Sequence, residues 1–201
     1  LSIIKGFSQQ AHDLLENPSQ PQVSLINRQD DAAFTNFVSG YLAYLEEPDP
    51  AKALEKLQLI RVLVTVREGD SGLYQINRKI EKTLQALRSD LLQPNGLFYH
   101  NRPIIVTGNN YELGLFNGDI GLVRKEPGTQ QLKVYFEPEA AGKPLRRFIP
   151  ASLNACETVF AMTIHKSQGS EFKKVMVVLP DQSDNPLLTR ELIYTGVTRA
   201  K

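Results

Sequence analysis

The sequence contains no tryptophan, two methionines and one cysteine. With a single thiol, Cys156, there is no partner for an internal disulfide and no basis for a cysteine-rich metal site. That residue reads as an inert buried thiol, which fits the reducing cytoplasm. Long apolar runs are also missing, so no segment of this sequence spans a membrane as a helix. Residues 1–4 are too short a hydrophobic stretch for a signal peptide. Charge of one sign is not in excess: 23 Lys and Arg face 22 Asp and Glu, for a net charge of +1. Bulk charge therefore does not select nucleic acid, and any DNA-binding surface has to be a local stripe. His12 and His100 belong to no catalytic pattern, and no His/Asp/Glu set has metal-ligand spacing, so no metal site is expected. The absence with the largest consequence is a glycine-rich loop ending in Gly-Lys-Ser or Gly-Lys-Thr, the arrangement that cradles nucleotide phosphates through backbone N–H groups.

What is present suffices for a core: 41% of the 201 residues are hydrophobic, enough for one large domain or one domain with a small insert. The start at Leu1, without methionine, reads as a piece of a longer protein. A short helical pattern at 11–15 ends in Asn17-Pro18, and 22–26 has the texture of a short strand. Residues 30–46 read as a helix, with apolar residues at three- and four-residue spacing from Ala33 to Leu45 and with Asp30 or Asp31 as cap. A shorter helix is expected at 51–59. Residues 59–66 are dense in β-branched types, as in a strand buried on both faces; Arg61 within it is explained by snorkelling or a sheet-edge position. A helix with Leu73, Ile76, Ile80, Leu84, Leu87 and Leu91 on one face follows, and then a strand at 104–107. That strand–helix–strand order predicts a parallel sheet with a helical crossover.

Between about 112 and 157 the texture changes. Three short strands, at 120–125, 131–136 and 145–149, alternate with Gly/Pro turns, and no helical period intervenes. They predict a small β-barrel inserted into an α/β domain. Strands are expected again at 159–164 and 174–179, the latter the most apolar of all, before a final helix capped by Thr189 with Glu191 in its first turn.

Two stretches near the C-terminus carry the chemistry: Thr163-Ile164-His165-Lys166-Ser167-Gln168-Gly169-Ser170-Glu171-Phe172 and Tyr194-Thr195-Gly196-Val197-Thr198-Arg199-Ala200. With Arg67-Glu68-Gly69 through Asn77, and with Asn109 through Gly121, they resemble the RecD-like class of superfamily 1 helicases, which move 5′ to 3′. The wording of Gly114-Leu115-Phe116-Asn117-Gly118-Asp119-Ile120-Gly121 is close to that of the RecD (alpha) subunits of bacterial exodeoxyribonuclease V. The resemblance implies an α/β fold: a RecA-like, P-loop NTPase-type parallel sheet without its own P-loop, carrying a Src-homology-3-like insert. It implies the end of a first motor domain with linker helices at 1–58, a second motor domain at 59–111 and 158–201, and the β insert at 112–157.

It also implies roles. Arg199 matches the arginine finger that reaches the γ-phosphate, and Arg67 a second phosphate-contacting arginine; a guanidinium stays charged and donates in a planar fork. Read as plain sequence, Arg67 also fits a strand-end charge and Arg199 a solvated charge near a helix end. Gly169 and Glu171 match the nucleotide side of their motif, Gln168 a coupling position, and Thr163, His165, Lys166 and Ser167 the DNA side. Asn109 and Asn117 are further strand contacts by resemblance and turn formers by type. Phe116 could stack on a base but reads better as core, and Lys143, Arg146 and Arg147 form a basic cluster that either tracks phosphates or is merely solvated. ATP and Mg2+ would be held mainly by the first motor domain, which with its phosphate loop would precede this sequence. Single-stranded DNA, duplex ends and RecB-like and RecC-like subunits are the implied partners, and the implied setting is double-strand break repair and recombination. A stand-alone RecD-like helicase and a non-catalytic nucleic-acid-binding module remain the alternatives. Without its partner domain the chain is expected to be inactive, and its ending at Lys201 is expected to leave a sheet edge open.

Overall fold

The computed structural model describes residues 13, 23–27, 29–180 and 188–201. The helix expected at 11–15 lies outside the described residues except for Asp13. Residues 23–27 have no regular secondary structure, which corrects the strand expected there. Val23, Leu25 and Ile26 are exposed: β propensity forms no strand without a neighbouring ladder and a surface to cover.

The first helical region is α1 (Asp31–Val38), a 3-10 turn (Ser39–Tyr41) and α2 (Leu42–Leu45). Asp30 caps α1 by accepting from the Ala33 N–H at 2.9 Å. At the turn, a Cβ on Gly40 would stand 2.7 Å from Ile60 Cδ1, so any larger residue there would require the Ile60 side chain to shift. Asp49 and Pro50 open α3 (Pro50–Leu57), whose Ala53, Leu54 and Leu57 are buried.

β1 (Ile60–Val64) is buried at every position because it is the middle strand of a parallel sheet, order β7-β1-β8, with β7 (Ala161–Thr163) and β8 (Lys174–Val178). Its side chains alternate between two cores, as a period of two requires. Ile60, Val62 and Val64 join a large cluster with the helices, whereas Leu63 packs with Ile164, Phe172 and Leu192. Arg61 is also fully buried, which corrects the snorkelling reading. Its guanidinium donates to the Val159 carbonyl, and to that of Leu57 at 3.4 Å, and lies 5.4 Å from the centre of the Phe172 ring. Burial pulls its pKa below the usual value.

α4 (Leu73–Leu87) buries Leu73, Ile76, Ile80 and Leu84 on one stripe; Leu87 is exposed and Leu91 lies beyond the helix end. Buried Asn77 points at β7. Its amide donates to the Ala161 carbonyl at 3.2 Å and accepts from the Ala161 N–H at 2.9 Å, so a side chain satisfies the edge of that strand.

The strand after α4 corrects the expected crossover. β2 (Pro103–Val106) does not join the parallel sheet; it pairs antiparallel with β3 (Ile120–Lys125) and β6 (Cys156–Thr158). An apolar run has the same texture in either kind of sheet, and here both neighbours of β1 come from much later in the chain. The second sheet has order β5-β4-β3-β2-β6, with β4 (Leu132–Phe136) and β5 (Arg146–Phe148), and so draws on residues either side of 112–157. It is an open ladder: β5 and β6 are its edges and do not pair with each other. One face closes over Ile104, Val106, Leu115, Val123, Val134 and Phe136; Ile105 and Leu122 face the other two clusters. β8, the most apolar strand by sequence, is half-buried, and among the described residues only β1 pairs with it. Thr189 caps the last helix, α5 (Arg190–Val197).

Candidate functional site

The residues singled out by sequence fall into three groups. The first lies where the segment after β7 meets the end of α5. Phe172 N–H donates to the Arg199 carbonyl at 2.8 Å, and Lys201 N–H donates to the Phe172 carbonyl at 2.9 Å, so the two motifs are stitched by backbone. The Arg199 side chain donates from Nε to the Thr195 carbonyl (3.1 Å) in the last turn of α5 and from Nη1 to the Ser170 carbonyl (3.3 Å). A cation over helix-end carbonyls is favourable in its own right, and Nη2 has no partner among the described residues. Gly169 has φ +83 with open space around it, so the turn requires glycine for its backbone conformation and not for room. Glu171 pairs with Lys201 at the surface.

In the same loop Thr163 Oγ1 accepts from the Lys166 N–H (3.3 Å), and the Ser167 hydroxyl donates to the Ile164 carbonyl (2.7 Å). Both hydroxyls shape the 3-10 turn His165–Ser167. Ser167 is fully buried and Thr163 nearly so, which takes Ser167 out of the outward-facing donors expected from sequence. His165 and Gln168 are exposed and Lys166 is half-buried, so these three side chains form the outer surface of the turn.

The second group surrounds Arg67, which follows β1. Its Nη2 donates to the Tyr74 hydroxyl (2.6 Å) and the Glu157 carboxylate (2.7 Å), and its guanidinium carbon lies 5.3 Å from the Tyr74 ring centre. The Tyr74 hydrogen bond, joined by the Glu157 charge, raises the Arg67 pKa. Sequence reasoning missed both partners: Tyr74 sits on the first turn of α4 and Glu157 on β6, ninety residues from Arg67. No hydrogen bond or ion pair joins Arg67 to the Arg199 group among the described residues.

The third group is a hairpin between β2 and β3, closed by paired Asn110 and Leu115. Asn109 accepts from the Asn117 N–H (2.9 Å) and donates to the Tyr111 hydroxyl (3.3 Å), which spends its amide on the hairpin base. Phe116 is half exposed, not core as its type suggested, and meets the exposed Tyr111 ring edge to face at 6.1 Å. Both arginines of the basic cluster nearby are engaged. Arg146 donates to the carbonyls of Glu137 and Gly114 and pairs with Asp119, and Arg147 pairs with Glu126.

Among the described residues no group of three or more His, Cys, Asp or Glu side chains is placed to hold a metal ion, and no helix is long and apolar enough to cross a membrane. Cys156 is half-buried, and burial raises its thiol pKa.

Residues 158–201, the span that carries β7, β8 and the Arg199 motif, match the family described as the UvrD-like helicase C-terminal domain. More particularly, the chain is similar to RecD, a subunit of the RecBCD enzyme. It is 42% identical to that of Mycolicibacterium smegmatis over 153 residues, 76% of this chain and 26% of the relative. It is 38% identical to that of Haemophilus influenzae over 142 residues, 71% of this chain and 20% of the relative. The chain thus spans about a quarter of the length of the curated relatives it matches. Among solved structures, the Pif1 helicase from Candida albicans aligns with 89% of this chain and 53% of its own, at 15% identity and a TM-score of 0.45.

Proposed function

We propose that the chain is the C-terminal motor part of a RecD-like, ATP-dependent 5′–3′ DNA helicase acting with RecB-like and RecC-like subunits in double-strand break repair in the bacterial cytoplasm. The observation that carries this reading is the backbone stitch between 172 and 199–201, which fixes Arg199 beside the Gly169–Glu171 loop. Residues 59–111 and 158–201 are read as a RecA-like second motor domain, and 112–157, which adds β3, β4 and β5 to the antiparallel sheet, as a small barrel-like insert. Residues before the sheet are read as the end of the first motor domain and its linker.

In this scheme ATP lies between this unit and the first motor domain, which supplies the phosphate loop and the Mg2+ ligands. Arg199 would extend its free Nη2 to the transferring phosphoryl group, where a fixed cation stabilises charge that grows in the transition state. Arg67 would meet the phosphates from the other group, and Gly169 and Glu171 would border the ribose. His165, Lys166, Asn117 and the backbone of the turn would face single-stranded DNA, with Gln168 linking the two sides. Thr163 and Asn109 would act by shaping the surfaces that touch DNA.

The test is steady-state phosphate release with and without single-stranded DNA, from residues 1–201 and from the complete protein. The chain alone is expected to show no DNA-stimulated hydrolysis and the complete protein to show it. Clear DNA-stimulated turnover by residues 1–201 alone rejects the reading.

A further inference from the structure

We infer that Glu157 is a positioning residue for Arg67, so that a carboxylate on the antiparallel sheet aims a nucleotide-contacting arginine of the parallel sheet. This rests on the reading of Arg67 given above.

An arginine on a loop has several rotatable bonds, and most of its conformers point a guanidinium where it does nothing. Three contacts remove that freedom here. Glu157 and Tyr74 both hold Nη2, at 2.7 and 2.6 Å, and the Tyr74 ring lies under the guanidinium carbon at 5.3 Å. All the restraint falls on one nitrogen and one face. Nε and Nη1 have no partner among the described residues, so donors stay available to an anion after the side chain is fixed. A guanidinium can serve a carboxylate and a phosphate together because its donors diverge in one plane. The Arg67 side chain keeps 42% of its exposure, so the free donors are reachable.

The carboxylate is itself held. Glu157 lies in β6, where it pairs with Ile105 of β2, and Ile105 is buried in the cluster that also contains Leu63 of β1. The Arg67–Glu157 pair therefore spans the two sheets, and its carboxylate end is anchored in the antiparallel sheet. As an isolated surface ion pair it would add little stability. What it fixes is a direction, and misplacing a catalytic contact by an ångström can cost a large factor in rate.

The experiment uses the complete protein with saturating single-stranded DNA and compares kcat/KM for ATP in Arg67→Ala, Glu157→Ala, Glu157→Gln and the Arg67→Ala/Glu157→Ala double variant. Glu157→Ala is expected to lower kcat/KM about tenfold. Glu157→Gln keeps an oxygen acceptor for Nη2 and is expected to restore most of the loss, which also guards against a folding defect in the alanine variant. In the Arg67→Ala background, removing Glu157 is expected to add nothing, because a residue that acts through Arg67 has nothing left to position. Glu157→Ala turnover within twofold of the parent, with Arg67→Ala deficient, overturns the inference and leaves the function standing. An equal loss from Glu157→Ala with and without Arg67 also overturns it. Normal turnover in Arg67→Ala removes both the inference and the nucleotide role of Arg67.

Discussion

The two sheets solve opposite problems with similar residues. Among the described residues the parallel sheet has three strands, and its middle strand, β1, has no exposed position. It is enclosed by helices on one side and by the Ile164, Phe172 and Leu192 cluster on the other, and the candidate nucleotide residues lie on the loops around it. The antiparallel sheet has five strands and its own core on one face, while its other face adheres to the larger core. Its surface features are a hairpin and turns. Burial on both faces makes the parallel unit intolerant of change but leaves its loops free to carry charge. The antiparallel unit uses its charged residues internally, as Arg146 shows by joining Gly114, Glu137 and Asp119. Arg146 is thus construction, whereas Arg67 and Arg199 keep donors without a partner among the described residues.

The largest expected effect tests where the shared core is centred. Phe160, in the link between β6 and β7, is fully buried, meets the Tyr41 ring edge to face at 5.4 Å, and accepts the Tyr41 hydroxyl through its carbonyl at 2.6 Å. Phe160→Ala should cost about 3–5 kcal/mol in urea unfolding of the chain. A loss below about 1 kcal/mol would mean the two units do not share a core at this point.

Arg199→Ala sharpens the claim that the loops of the parallel unit carry the chemistry. In the complete protein it should lower DNA-stimulated ATP turnover by about 10²-fold or more with folding retained. Near-normal turnover at saturating ATP and DNA would return Arg199 to the role of a cation capping α5.

A pH effect should come from the antiparallel unit. His100 Nδ1 accepts from the Lys125 N–H (3.0 Å), and burial, helped by the charges of Arg124 and Lys125, pulls its pKa down to about 4. The unfolded chain, with an ordinary histidine near 6.5, therefore binds the proton first as pH falls. The contribution of neutral His100 is complete above about pH 6.5 and is lost progressively between there and pH 4; the whole shift corresponds to about 3 kcal/mol, which solvent screening of the half-buried ring reduces to about 2 kcal/mol. Urea midpoints at pH 7 and pH 5 should fall further apart for the parent than for His100→Gln, and equal differences would remove His100 from the account.

The smallest effect concerns the outward surface of the 165–168 turn. Lys166→Ala in the complete protein should weaken single-strand binding and reduce the salt dependence by about one phosphate contact. An unchanged slope and affinity would take Lys166 off the backbone path.

Period and punctuation made much of this fold legible. The stripe from Leu73 to Leu84, the Asp30 and Thr189 caps and the boundaries of β3 are local properties, and they appear where the spacing put them. The motif residues were legible only as positions. Nothing local distinguishes the buried hydroxyl of Ser167 from one that faces a ligand, or the surface ring of Phe116 from a core ring.

By itself the sequence determined most helices and strands, though not the break of 30–46 into three elements, together with the helicase resemblance and the lack of a phosphate loop within these residues, because periodicity, capping and motif wording act over a few neighbours. The tertiary structure alone decided that β1 takes β7 and β8 as partners while β2 goes to the other sheet. It alone buried Arg61 in the centre and brought Glu157 to Arg67. Those outcomes depend on which distant segments compete for the same edge or the same charge, and that competition is settled only when the whole chain packs.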